Sequence, residues 1–141
     1  MKTTKRNTKT TEPRQSFSIL LAEAIPLLRE KISGILGRTK DIWCVIQVNG
    51  TADLLRGAMV SQPDFILADF TMLNDHQNVT LLRNCTDSCK IIAMTDVVTG
   101  PYMESAQCLG LDGISEKSKI EEYIQKEIRI LRQQMELRYG E

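Results

Sequence analysis

"PDFILADF", residues 63–70, sets four apolar residues between a Pro-Asp pair and an aspartate. Phe65, Ile66, Leu67 and Ala68 show no polar alternation, the pattern of a short strand covered on both faces, as strands inside parallel sheets are. Asp69 then stands at the strand's carboxyl end, the edge along which open α/β sheets place their ligand crevice. Whether Asp69 merely ends a strand or carries chemistry depends on what other segments bring to that edge.

On either side of this stretch, strand and helix patterns alternate. "FSILLAE" (17–23) reads as a strand. "PLLREKISGILGR" (26–38) reads as an amphipathic helix with Leu28, Ile32, Ile35 and Leu36 on one stripe and Pro26 at its start, where a missing N–H costs little. "IWCVIQV" (42–48) is a strand closed by the turn pair Asn49-Gly50, and "TADLLRGAMVSQ" (51–62) is helical up to Pro63. Beyond Asp69 the pattern predicts a polar loop, a weak helix around 76–84, and a strand "CKIIAM" (89–94) ending in Thr95-Asp96. A helix over 100–110, a short strand "DGIS" (112–115) and a last helix reaching about residue 138 complete the series. Ser118, with Glu121 three residues on, predicts a capping box at the start of that last helix.

Five β-α units in succession predict a doubly wound parallel sheet with helices on both faces. All strand-to-helix loops then gather along one edge, bringing Glu23, Asp69, Thr95-Asp96 and Lys117 together without any contiguity in sequence. Carboxylates with an ammonium and a hydroxyl beside them can stabilise charge on a phosphoryl group. No GxGxxG or GxxxxGK[ST] cradle occurs, which argues against a nucleotide-binding or flavin-type enzyme in the same crevice.

At 141 residues the length suits one domain, and 42% apolar with 26% charged residues is ordinary for a globular chain. Net charge is zero but unevenly spread: residues 1–16 carry five basic side chains against Glu12 alone, so the remainder is acidic. That distribution predicts a disordered basic arm over 1–16, followed by a domain over 17–141, and gives no concentrated basic face for direct DNA binding. No apolar segment suits a signal peptide or a membrane span, so a cytoplasmic protein is expected. The four cysteines, Cys44, Cys85, Cys89 and Cys108, form no CxxC pair and are joined by a single histidine, His76, which is poor support for zinc. Cys44 and Cys108 fall in apolar patterns that predict buried thiols, and His76 reads as a loop residue.

"ILLAEAIPLLRE", "PDFILADFTM", "IIAMTD" and "GLDGISEKS", in this order and spacing, resemble the receiver domain of bacterial two-component response regulators over roughly residues 17–130. The resemblance implies a flavodoxin-like sheet with strand order 2-1-3-4-5. It makes Asp69 the phosphoacceptor, supplied by a histidine kinase or phosphotransfer protein. Thr95 and Lys117 become the switch and phosphate-contacting residues, and Glu23, Asp69 and the carbonyl of Thr71 the ligands of Mg2+, a hard cation that takes oxygen donors. The implied role is a single-domain receiver in a phosphorelay, signalling by contact with a downstream protein and not itself an enzyme beyond Mg2+-dependent phosphorylation and dephosphorylation of Asp69.

The sequence departs from that family at several positions. Ala24 stands where a second acid is usual and offers no oxygen, weakening the metal site. Asp96 follows Thr95 where a small residue is usual; its carboxylate could repel the phosphoryl group or stand in for the missing ligand. Ile114 occupies the usual position of a switch aromatic, and Leu73-Asn74 replace a common Pro-Gly. These departures favour an alternative, a phosphorylation-independent pseudo-receiver acting as an interaction module. Ile124, Ile128, Leu131 and Met135 form a heptad-like stripe on the last helix; its first part is expected to pack on the sheet, and the extension beyond residue 130, "LRQQMELRYGE", to pair with a second copy or a partner or to end as a frayed turn.

Overall fold

The structure, a computed structural model, describes residues 16–139. All but Ser16 of the expected basic arm therefore lies outside the described residues. Five strands, β1 (Phe17–Ala22), β2 (Ile42–Val48), β3 (Phe65–Asp69), β4 (Lys90–Thr95) and β5 (Gly113–Glu116), form one parallel sheet in the order β2-β1-β3-β4-β5, as expected. The helices are α1 (Pro26–Gly37), α2 (Thr51–Ser61), α3 (Phe70–Leu73), α4 (His76–Cys85), α5 (Gly100–Leu109) and α6 (Ile120–Tyr139), the last preceded by a 3-10 turn over Lys117–Lys119. None of them is long and apolar enough to cross a membrane.

Strand periodicity divides the core in two. Successive side chains point to opposite faces, so Leu20, Ala22, Ile66, Ala68, Ile91 and Ala93 face α2, α4 and α5 through Leu54, Ala58, Val79, Leu82 and Leu109. Phe17, Ile19, Leu21, Phe65, Leu67, Ile92 and Met94 face α1 and α6, through Ile32, Leu36, Ile120, Ile124 and Ile128. β1, β3 and β4 are thus buried on both faces, which is why their segments read as unbroken apolar runs.

The edges differ. β2 carries a register shift at its start: Phe17 pairs with Ile42 and Ser18 with Cys44, leaving Trp43 as the extra, exposed residue of a bulge. At the opposite edge β5 has only four residues. Arg83 joins this side of the molecule, donating to the carbonyls of Cys89 and Gly110 and, at 2.8 Å, to the carboxylate of Asp112.

Three expectations change. The polar loop after Asp69 contains the single turn α3, because Phe70, Met72 and Leu73 are buried and draw the chain back onto the core. Ser118 lies inside the 3-10 turn and does not cap the helix. Cys108 is exposed, since α5 buries only Ala106 and Leu109. On α6, Leu131 and Met135 are half-buried against the core that Ile124 and Ile128 enter, while Leu137 on the extension is exposed.

The cysteines differ sharply in environment. Burial pushes the Cys89 thiol up to about 12, whereas Cys108 is open to solvent on α5. Iodoacetamide at pH 8 should modify Cys108 first and Cys89 last, with Cys89 roughly a thousandfold slower than a free thiol because only the thiolate reacts. Timed peptide mapping of the native protein checks this; equal labelling of the two would contradict the packing around Cys89.

Candidate functional site

β3 is the central strand, and its last residue, Asp69, emerges at the carboxyl edge between the ends of β1 and β4. Glu23 follows β1 and is tied to β2 by its N–H, which donates to the Val48 carbonyl. Arg29 of α1 donates to the Glu23 carbonyl at 2.8 Å, while the Glu23 carboxylate accepts from the N–H of Ile25, so the backbone turns away and the side chain points inward. Lys117 opens the turn after β5 and reaches back across the edge.

These three side chains meet. The Lys117 ammonium lies 2.6 Å from Asp69 Oδ1 and 2.8 Å from Glu23 Oε1. Glu23 is 2% exposed, Lys117 11% and Asp69 18%, so the pair of carboxylates deepens from a reachable Asp69 to a buried Glu23. Burial alone would raise the Asp69 carboxyl; the hydrogen bonds and charge of Lys117 and the hydroxyl and N–H of Thr71 outweigh it and hold the group below its ordinary range. Burial likewise opposes the Lys117 charge, but Asp69 and Glu23 together raise the ammonium above its ordinary value. Asp69 is therefore an anion at neutral pH, with its charge partly matched.

The second Asp69 oxygen, Oδ2, accepts from both the N–H and the hydroxyl of Thr71, which makes Asp69 the cap of α3. Thr95 is buried at the end of β4, and its hydroxyl donates to the Val97 carbonyl at 2.8 Å. Asp96 is exposed and lines, with Lys117, a cleft of about 340 Å³ whose floor is Leu28, Ile32, Ile35 and Ile120. Ile114 is half-buried against the core, Ala24 is exposed, and Leu73 is fully buried at the end of α3. His76 lies exposed at the start of α4. Two features escaped the sequence reading: the Thr71 hydroxyl as a partner of Asp69, and Arg29 as the residue that fixes the Glu23 backbone. An aspartate followed two residues later by threonine is the signal for the first, a short capping turn.

Glu23 Oε1 is fully buried, and the Lys117 ammonium at 2.8 Å is its one partner among the described contacts, leaving the oxygen room for a further ligand. An oxygen left in that state beside a second carboxylate suits a hard cation that takes one or two carboxylates and fills its remaining positions with water and phosphate, as Mg2+ does. Among the described residues no group of three or more His, Cys, Asp or Glu side chains is placed to hold a metal ion.

No protein-family model matches the chain, and no curated protein sequence does. Solved structures do. The isolated REC domain of RcsB from Salmonella enterica serovar Typhimurium superposes with a TM-score of 0.71 at 15% identity, covering 84% of this chain and 89% of that one. A LuxR-family two-component response regulator from Aurantimonas sp. SI85-9A1 gives 0.70 at 18% identity, over 83% and 85% of the two chains. The signal receiver domain of a DNA-binding response regulator from Colwellia psychrerythraea 34H gives 0.66 at 18%, over 81% and 99%. The chain has the receiver fold.

Proposed function

We propose that this receiver-fold chain accepts a phosphoryl group on Asp69 from a histidine kinase or phosphotransfer protein and signals by contact with a downstream protein. One observation carries the reading: a single ammonium, Lys117, lies within 2.8 Å of two carboxylates at the sheet edge, one of them reachable from solvent. In the proposed step an Asp69 oxygen attacks phosphorus and the P–N bond of a phosphohistidine breaks. The electron pair stays on the imidazole nitrogen, which takes a proton from water, and Asp69 becomes an acyl phosphate. Lys117 is placed to follow the negative charge from the carboxylate to the new phosphoryl oxygens. Thr95 joins them only by giving up its bond to the Val97 carbonyl. Mg2+ would be held by the Glu23 and Asp69 carboxylates and the Thr71 carbonyl, and would supply charge neutralisation on the transferring group. The free thiols support a reducing, cytoplasmic setting.

A second reading has its own observation. Ala24 contributes no oxygen, and both Asp69 oxygens are already engaged, by Lys117 and by Thr71. A chain arrested in that state is a pseudo-receiver, an interaction module whose surface needs no phosphoryl group.

Intact mass after incubation with Mg2+ and acetyl phosphate separates the two. The expected result is one added phosphoryl group, absent from Asp69→Asn and lost when Mg2+ is chelated. An unmodified, folded protein over a range of Mg2+ and donor concentrations would leave the pseudo-receiver standing.

A further inference from the structure

We propose that Arg29 is a positioning residue: by holding the main chain of Glu23 it fixes where that carboxylate points, and so sets how tightly the sheet edge binds Mg2+. The role rests on Glu23 being a ligand of that ion, the metal part of the proposed function, and not on whether Asp69 is then phosphorylated. Only Ala24 and Ile25 separate Glu23 from Pro26, the first residue of α1. Ala24 has no polar side chain to brace this turn, and Pro26 has no N–H to give. Three bonds hold Glu23 in it. Its N–H donates to the Val48 carbonyl at 3.1 Å, its Oε2 accepts from the Ile25 N–H at 3.1 Å, and its carbonyl accepts from the Arg29 guanidinium at 2.8 Å.

These bonds differ in what they ask of the carboxylate. The Val48 and Arg29 bonds hold the backbone, whereas the Ile25 bond uses the carboxylate itself. Arg29 is the rigid member on the helix side. Its own N–H donates to the Ile25 carbonyl at 2.8 Å in the first turn of α1, and that helix is anchored on the sheet by the buried Ile32 and Leu36. Among the described contacts the half-buried guanidinium meets no carboxylate, and the Glu23 carbonyl is its acceptor. Without Arg29 the turn is tied to α1 only through the bond from Ile25 to Oε2, so the carboxylate follows Ile25 instead of keeping its place beside Lys117. Ala24 makes the loss count, because no second acid follows Glu23 to take over its oxygen.

Partners that orient a metal ligand change metal affinity by roughly ten- to hundredfold when they are removed. Arg29→Met should therefore weaken Mg2+ binding by about tenfold. The sign identifies the cause: deleting a positive charge close to the site would by itself tighten the binding of a cation, so a weaker affinity reads lost positioning and not lost charge. Arg29→Lys, which keeps a donor for the carbonyl, should lie between wild type and Arg29→Met. Calorimetric titration with magnesium chloride measures all three, with Glu23→Gln marking the site and circular dichroism confirming the fold. Arg29→Gln, too short to reach the carbonyl, takes the place of the methionine variant if that variant does not fold. Mg2+ binding as tight as wild type or tighter in Arg29→Met overturns the proposal. So does a lysine variant no better than the methionine one, or a wild type that binds no Mg2+.

Phosphoryl uptake from acetyl phosphate keeps the two proposals apart. Arg29→Met should need about tenfold more Mg2+ for half-maximal uptake and reach the wild-type rate at saturation. Uptake with an unchanged Mg2+ requirement overturns the positioning role alone. Mg2+ binding that weakens in Arg29→Met, in a protein that takes up no phosphoryl group, overturns the acceptor reading alone.

Discussion

Replacing Lys117 by methionine should lower stability by about 3 kcal/mol at neutral pH, the lower end of what breaking a buried ion pair costs, and should abolish phosphoryl uptake. Methionine keeps the length of the side chain but removes the only positive charge within reach of Glu23 Oε1 and Asp69 Oδ1 among the described contacts. Glu23, 2% exposed, is then left as a carboxylate without a counter-charge. The pH dependence identifies the cause. Asp69 has a folded-state pKa below its ordinary value of 3.8, so its contribution is present above that value and lost as pH falls through the folded one. Lys117 has a raised pKa, so its contribution is complete below its ordinary 10.5 and lost as pH rises through the folded value. The gap between wild type and Lys117→Met should therefore be widest between these limits and close toward both ends. Urea titrations across pH measure it; a variant as stable as wild type at pH 7, or a gap that widens in acid, would contradict the ion-pair account.

Phe65→Ala should cost about 4 kcal/mol, in the range for truncating a fully buried phenylalanine, and lower the melting temperature by on the order of 10 °C. Phe65 is 0% exposed on the central strand and meets Phe17 edge to face at 6.0 Å. Its register partners are Ile19 on β1 and Lys90 on β4, so the void opens beneath both neighbours of the strand that ends in Asp69. Val60→Ala is the contrasting case. Its side chain is 79% exposed, and the change should stay within about 0.5 kcal/mol. Thermal melts of the two variants side by side would test whether the core lies where the two-sided strand pattern puts it; similar losses would argue against it.

The parallel sheet was legible because β1, β3 and β4 are covered on both faces and so read as unbroken apolar runs. Asp69 was legible as a candidate because it follows such a run and Lys117 because it follows the short strand Gly113–Glu116, and topology then sends both to one edge. Other features were not, for physical reasons. A single turn such as α3 is too short to show a period, and its Met72 and Leu73 are an apolar pair that suits either a turn or a strand. The orientation of the Thr95 hydroxyl toward Val97 depends on a local backbone turn that side-chain identity does not encode. Cys108 misled because an amphipathic pattern names a stripe, while the width of that stripe depends on how much of α5 the sheet covers. The stripe on α6 was visible as far as Met135, but periodicity cannot tell how far along the helix the chain's own core covers it.

The first residues of β2 also bear on how the protein behaves when crowded. An open parallel sheet ends in two unpaired rows of amides and carbonyls, each a template on which a foreign strand can grow. Here the template is interrupted on both sides: the bulge at Trp43 breaks the ladder of β2 before it has properly begun, and β5 stops after four residues. A second chain could lay a continuous ladder only along residues 44–48 of one edge. These irregularities shorten the row of amides and carbonyls that either edge offers a foreign strand, so the sheet presents no long, flat template for growth.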